Sequence, residues 1–207
     1  MRSTLLICAS VVLLLPGCDE GDSEPHVVSH KPRAGTRSRE RTEEAADSPA
    51  HVSASGGKVQ FGALEMTAPE SWPQKAPQSS FTAAEFVLPG VEGPETAGRL
   101  TLSMAGGSVA DNIERWKGQF GGTLRDSKQE TLSVSGLSVT LVDLAGDFND
   151  QRGPYAPAVK RAEHRMIAAI IPVGGELHFV KAVGPCRTID AHVEEIRAFI
   201  QTAKTNQ

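Results

Sequence analysis

The sequence predicts an α+β domain over residues 58–207, with a single antiparallel β-sheet of about six to seven strands packed against helices. Segments that alternate apolar and polar residues recur from Lys58 onward, as in half-buried strands. Ser135-Gly136 and Gly174-Gly175 are turn signals between such segments, and strands joined by such short turns must be antiparallel. Two further segments have the 3.6-residue period of amphipathic helices.

The predicted strands are short and each ends at turn residues. In chain order they cover residues 59–67, 81–88, 99–104, 129–134, 137–144, 166–171 and 177–183. The range 166–171 is almost wholly apolar, which is typical of a central strand. This order places several strands before a first helix, four strands after it and a second helix at the end.

The two predicted helices each have a clear inward face. The first begins after Ser108, which forms a capping box with Asp111, and ends at Gly121-Gly122. Its apolar stripe is formed by Val109, Ile113, Trp116 and Phe120. In the closing helix the residues expected to face the core are Ile189, Val193, Ile196 and Ile200. Trp116 is therefore expected in the core.

Residues 1–17 predict a lipoprotein signal peptide. Arg2 precedes an apolar run over 5–15, which as a helix would span only ~16 Å, about half of a membrane's hydrocarbon core. The run ends in Leu15-Pro16-Gly17-Cys18, which resembles the lipobox of bacterial lipoproteins. That resemblance implies cleavage before Cys18 and lipidation of its thiol. The alternative is an ordinary signal peptide followed by an incidental cysteine.

Residues 18–57 predict a lipid-bearing cysteine followed by a disordered tether. Charged residues, prolines and serines follow one another without any apolar period, so the segment cannot bury enough apolar surface to offset chain entropy. The expected location is the cell membrane, where the lipid would hold the chain on the periplasmic or exterior side. A metal role for His26, His30 and His51 is not expected, because no ligand spacing joins them.

Charge and cysteine content exclude some classes of protein. The chain has 25 acidic and 21 basic residues, a formal net charge of −4, which argues against a nucleic-acid binder. Once the signal peptide is removed and Cys18 is lipidated, only Cys186 remains, so no disulfide framework is expected. Cys186 precedes the closing helix, and we expect a packed or idle thiol there.

Residues 58–203 resemble the PsbP-like fold, which is shared by photosystem assembly subunits, Mog-type Ran-binding proteins and small bacterial lipoproteins. The resemblance lies in pattern and order, in these features: Met66-Thr67-Ala68-Pro69, Ser71-Trp72, the paired strands 166–171 and 177–183, Gly184-Pro185 and the terminal helix with Phe199. It implies a non-catalytic module that docks on a protein partner. It transfers no catalytic or cofactor-binding residue.

A small serine hydrolase is the alternative function. Ser108 lies in Gly106-Gly107-Ser108-Val109-Ala110, between a predicted strand and a helix, and this segment is one residue away from a nucleophile elbow. Asp143 and His178 could complete a triad. Hydrolases of that type need parallel strands, however, and a helix N-cap fully explains Ser108.

No metal site is expected. His164, His178 and His192 share no turn, and a Gly174-Gly175 hairpin would place His178 opposite Ile171 rather than His164. The acidic segment at 147–150 lacks the glycine and distal glutamate of a calcium loop, so it predicts a solvated turn. Of the two tryptophans, Trp72, in a loop, is the better candidate for a partner surface, but we expect it to pack over the sheet edge instead.

Overall fold

The computed structural model describes residues 54–55, 57–77, 79–122, 124–151 and 156–206. The predicted signal peptide, Cys18 and most of the predicted tether lie outside these residues. The described helices are α1 (Val109–Gly118) and α2 (Cys186–Gln201). The described strands are β1 (Ala54–Ser55), β2 (Lys58–Phe61), β3 (Leu64–Thr67), β4 (Gln74–Lys75), β5 (Thr82–Leu88), β6 (Gly98–Ala105), β7 (Leu124–Val134), β8 (Leu137–Asp150), β9 (Val159–Val173), β10 (Glu176–Pro185) and β11 (Lys204–Thr205).

A seven-stranded antiparallel sheet forms the centre of the domain, in the order β4-β5-β6-β10-β9-β8-β7. The predicted α+β class is therefore confirmed. The hairpin signals act as expected: Ser135 and Gly136 have positive φ angles between β7 and β8, and Gly174 and Gly175 have them between β9 and β10. The apolar segment 166–171 lies within β9, and every residue in it is buried.

The prediction of a single strand over residues 59–67 is wrong, because these residues form a hairpin. The chain turns at Gly62, whose φ is 55°, and β2 and β3 pair on either side of this turn. With β1 and β11 these strands form a second sheet of four strands rather than part of the main one. Since β1 pairs with β2, the final residues of the predicted tether include a strand.

Other strands are longer than their apolar segments. After a register shift at Asp147, the ladder between β8 and β9 continues through Phe148, Asn149 and Asp150, so the predicted solvated turn at 147–150 is wrong. Cross-strand ion pairs support this extension, since Lys160 Nζ lies 3.4 Å from Asp147 Oδ2. Phe81, predicted to begin a strand, instead precedes β5 and is 72% exposed.

Helix α1 lies on one face of the main sheet because of the chain's path. It connects β6, near the centre of the sheet, to β7 at the far edge, so it must cross β10, β9 and β8. Its inward residues pack on those strands, and the Trp116 and Phe179 rings meet edge to face at 5.3 Å. The predicted core position of Trp116 is confirmed, since its side chain is 3% exposed.

Helix α2 and the small sheet cover the opposite face of the main sheet. Ile189, Ile196 and Phe199 are fully buried there among residues of both sheets. Trp72 packs edge to face on Phe199 at 5.6 Å, and its indole N–H donates to Glu195 Oε2 at 3.2 Å. The hypothesis of a partner surface at Trp72 is therefore wrong, because its ring belongs to the core.

Within the described residues, neither helix is long and apolar enough to cross a membrane.

Candidate functional site

Ser108 functions as the N-cap of α1. Its Oγ accepts a hydrogen bond from the Asp111 backbone N–H at 3.0 Å and donates to Asp111 Oδ2 at 2.7 Å. The N-cap predicted from the sequence is therefore formed, and the Asp111 carboxylate accepts from the Ser108 hydroxyl. The contacts of this hydroxyl are those of a helix cap, and it is not hydrogen-bonded to a histidine.

The other two residues considered for a triad lie on the opposite face of the sheet from α1. Successive residues of a strand point to opposite faces. The neighbours of His178 on β10, Leu177 and Phe179, pack under α1, so His178 points toward the small sheet, where its Nε2 accepts the Ala63 N–H at 3.2 Å. Asp143 holds Arg165 through both carboxylate oxygens, at 2.9 and 2.6 Å. The structure does not bring Ser108, Asp143 and His178 together.

The three histidines considered for a metal site are also apart. The register places His178 opposite Ile171 and His164 opposite Pro185, as the hairpin predicted. His164 stacks on Phe148, with ring centroids 6.3 Å apart, and His192 contacts Glu195 and the Pro89 carbonyl. Among the described residues, no group of three histidine, cysteine, aspartate or glutamate side chains is placed to hold a metal ion.

Cys186 is the first residue of α2 and lines a charged surface depression. Arg125 Nη2 lies 3.9 Å from its sulfur, yet burial outweighs this cation and raises the pKa of the Cys186 thiol. Nearby charges are already paired, since Arg165 holds both Asp143 and Asp190. The thiol is therefore protonated at neutral pH.

The face of the main sheet under α1 divides into an apolar half and a polar half. The buried residues that this cluster takes from the sheet belong to β8, β9 and β10, and β6 adds the partly buried Ala105 at its edge. Beyond it the same face presents polar side chains, which the register places side by side. We call these residues the polar half-face: Lys75, Glu85, Arg99, Thr101, Ser103 and Lys181.

One continuous row crosses this half-face. Lys75 pairs with Glu85, Glu85 with Thr101, and Thr101 with Lys181, so four neighbouring strands place these side chains in a line. Glu85 and Thr101 are buried, whereas Lys75 is exposed. Neither the Lys181 ammonium nor the Glu85 carboxylate forms a hydrogen bond or ion pair with another described residue.

Lys181 lies where the two halves meet, and its surroundings disfavour its charge. Burial, together with the nearby guanidinium groups of Arg99 and Arg115, lowers the pKa of Lys181 to about 8, while Asp150 acts in the opposite sense. The amine still carries a proton at pH 7. Arg115 comes from α1 and hydrogen-bonds Asn112 Oδ1 at 2.6 Å, so its nearest polar partner is a neutral amide.

A small cavity of about 160 Å³ adjoins the polar half-face. Its lining includes Arg99, Asp150, Arg161 and His164. Asp150 joins two of these, with its carboxylate oxygens 3.4 Å from Arg99 Nη2 and 3.9 Å from Arg161 Nε. Ligand pockets usually measure about 300–1,000 Å³, so this cavity suits a single side chain better than a cofactor.

Sequence reasoning missed this cationic group. Lys181 lies in a strand whose other residues are mostly apolar, and Arg99 and Arg115 lie far from it in the chain. The only available signal was the lysine itself, which interrupts a run of buried residues in β10. Only the pairing of β10 with β6 and the path of α1 show that Lys181 lies near Arg99 and Arg115.

Comparison with known proteins gives structural similarity at low sequence identity. The chain is similar to CyanoP, the cyanobacterial PsbP of Synechocystis, with 10% identity and a TM-score of 0.45, over 70% of this chain and 87% of that one. It is also similar to LpqN, which is involved in cell envelope biogenesis of Mycobacterium tuberculosis, with 11% identity and a TM-score of 0.44, over 70% and 83%.

No protein-family model matches the sequence, and no curated protein matches it.

Proposed function

We propose that this protein is an exported lipoprotein, anchored to the membrane through Cys18, whose non-catalytic α+β domain binds a protein partner in the cell envelope. The lipobox-like Leu15-Pro16-Gly17-Cys18 supports the anchor. The polar half-face is the proposed docking surface.

The observation that carries the docking proposal is the contrast between the two faces of the main sheet. One face is covered by α2 and the small sheet, and its core is continuous across the sheet. On the other face the fully buried apolar residues end at β10, and the next strands present mainly charged and hydroxyl side chains. A charged surface of this kind suits a polar partner, because charge complementarity provides specificity and guides association.

A position-specific crosslink tests this docking surface. The photo-crosslinking residue benzoylphenylalanine replaces Ser103, which is partly exposed on the polar half-face. Intact cells that contain this variant are then irradiated. The matched control places the same residue at Glu194, which is exposed on α2. We expect a discrete protein adduct from position 103 that is absent from position 194. The same adducts from both positions, or none from position 103, would contradict docking through this face.

The hydrolase alternative is tested with a fluorophosphonate probe, which needs no known substrate. Because the hydroxyl of Ser108 caps α1, we expect the purified protein to remain unlabelled. Labelling that disappears in Ser108→Ala would replace the proposed non-catalytic function with an enzymatic one.

A further inference from the structure

We infer that Lys181, together with Arg115 and Arg99, binds a carboxylate side chain of an acidic segment in the protein partner. This inference rests on the proposed function and names the chemistry of its docking surface.

The first argument is geometric. Thr101 faces Lys181 and Arg99 faces Val183 across the same strand pair, so Arg99 and Lys181 are diagonal neighbours about 7–8 Å apart on one face. Arg115 approaches from α1, which packs on the adjoining strands. Three cationic groups from two strands and a helix therefore lie near one another at the border of the polar half-face.

Positive charge exceeds negative charge around Lys181. Asp150 pairs with Arg99 and with Arg161, so its charge is already shared between two guanidinium groups. Lys181 and Arg115 have no ion pair with a described residue. An uncompensated cation that is partly removed from water is costly, and an added anion would relieve this cost. The lowered pKa of Lys181 agrees with this deficit.

A carboxylate side chain of the partner suits this point, because the cations near Lys181 outnumber the single carboxylate of Asp150. The adjoining cavity of about 160 Å³ has room for a side chain. Arg115 is exposed and offers a planar guanidinium, which binds carboxylates through paired hydrogen bonds.

Chemical footprinting of Lys181 tests the inference on the full chain. Acetic anhydride at pH 8 acetylates free amines, and mass spectrometry gives the rate at each lysine. The probes are blocked hexaglutamate, blocked hexaglutamine and inorganic phosphate, all at the same low ionic strength. We expect hexaglutamate to slow acetylation of Lys181 at least fivefold relative to Lys128, which is exposed on β7, while hexaglutamine changes neither rate.

Two outcomes would overturn the inference. Equal rates at Lys181 with and without hexaglutamate would show that no carboxylate binds there. Protection by phosphate without protection by hexaglutamate would assign the cationic group to a small inorganic anion instead of a protein partner.

Variants give a second, independent measurement. Binding of fluorescent hexaglutamate, followed by anisotropy, should weaken at least tenfold in Lys181→Met and stay within about threefold in Lys181→Arg, which keeps the charge. Lys128→Met removes the same charge from a different strand and should bind like the wild type. Unchanged binding in a folded Lys181→Met protein would contradict the inference. If Lys181→Met does not fold, Arg115→Met on the exposed side of α1 replaces it, with the same expected loss.

The two proposals fail separately. If position 103 gives an adduct in cells but hexaglutamate does not protect Lys181, the docking surface is supported and the binding of a carboxylate at Lys181 is rejected. If hexaglutamate protects Lys181 but position 103 gives no adduct in cells, the anion site is supported and docking of a partner through this face is rejected.

Discussion

Ser108 provides the clearest test at the scale of a single residue. Its Oγ accepts the Asp111 N–H, one of the amides that the first turn of a helix leaves without a partner. We expect Ser108→Ala to lower the free energy of unfolding by about 1 kcal/mol, and Ser108→Asp to stay within about 1 kcal/mol of wild type. Urea unfolding measures both.

Ser138→Ala is the matched control, because Ser138 is an exposed residue of β8. It should change stability by no more than about 0.5 kcal/mol. An equal effect of the two alanine variants would show that the cap at Ser108 contributes nothing.

His178 predicts a pH dependence of stability. Burial lowers the pKa of His178 in the folded protein below 6.5, the ordinary value for histidine, which applies in the unfolded chain. As pH falls through that value, the unfolded chain takes up a proton that the folded protein resists, so the free energy of unfolding decreases. We expect a smaller decrease between pH 7 and 5 in His178→Gln, measured by urea unfolding at each pH.

Burial also lowers the pKa of His164, so some pH dependence should remain in His178→Gln and decrease further when His164→Gln is added. The same slope in wild type, single and double variants would contradict the assignment of this pH dependence to the two buried imidazoles.

Gly98 and Gly184 show how neighbouring elements constrain one another. A Cβ added to Gly184 would lie 2.7 Å from Gly98 Cα, which is backbone and cannot rotate away. We therefore expect Gly184→Ala to cost about 1–3 kcal/mol, because β6 and β10 would have to separate at this point. The measurement is the midpoint of thermal or urea unfolding.

Gly118→Ala is the control for this close approach. Gly118 ends α1, and a Cβ there would meet no atom within 4 Å. The change should leave stability the same or increase it by up to about 1 kcal/mol, because alanine favours the helix. A tolerated Gly184→Ala would show that the two strands are less closely packed than described.

At this scale, local signals decided which elements the sequence could predict. The Ser135-Gly136 turn and the Ser108 cap depend on residues adjacent in the chain, and both were found. The turn at Gly62 was missed because a single glycine in an alternating apolar segment looks like a strand interior. The extension of β8 to Asp150 was missed because acidic and amide residues surround its one large apolar residue, Phe148, and pair with charges on β9.

The candidate site could not be predicted for a related reason. Lys181, Arg99 and Arg115 come from β10, β6 and α1, and only the strand order β6-β10 and the crossing of α1 bring them together. The proposed triad of Ser108, Asp143 and His178 could likewise be judged only once this topology was known. Ser108 precedes α1 on one side of the sheet, whereas His178 lies on the other side.

For the whole molecule, the account predicts a protease-resistant domain attached to a sensitive segment. The described strands begin at Ala54, and β1 pairs with β2, whereas the segment before it has the composition of a flexible tether. Limited trypsin digestion should cut first at basic residues such as Arg37, Arg39 and Arg41, and leave a fragment that retains β1. Early cuts confined to the domain, with residues 19–53 protected, would contradict the tether.

The attachment of this domain to a membrane is the central claim, and the mature N-terminus tests it most directly. Mass spectrometry of the protein purified from its own cells should show a chain that begins at Cys18 and carries the added mass of diacylglycerol on its thiol. Cys18→Ser should abolish that mass and release the domain from the membrane fraction. A mature chain that begins elsewhere, or an unmodified Cys18, would contradict the lipoprotein account.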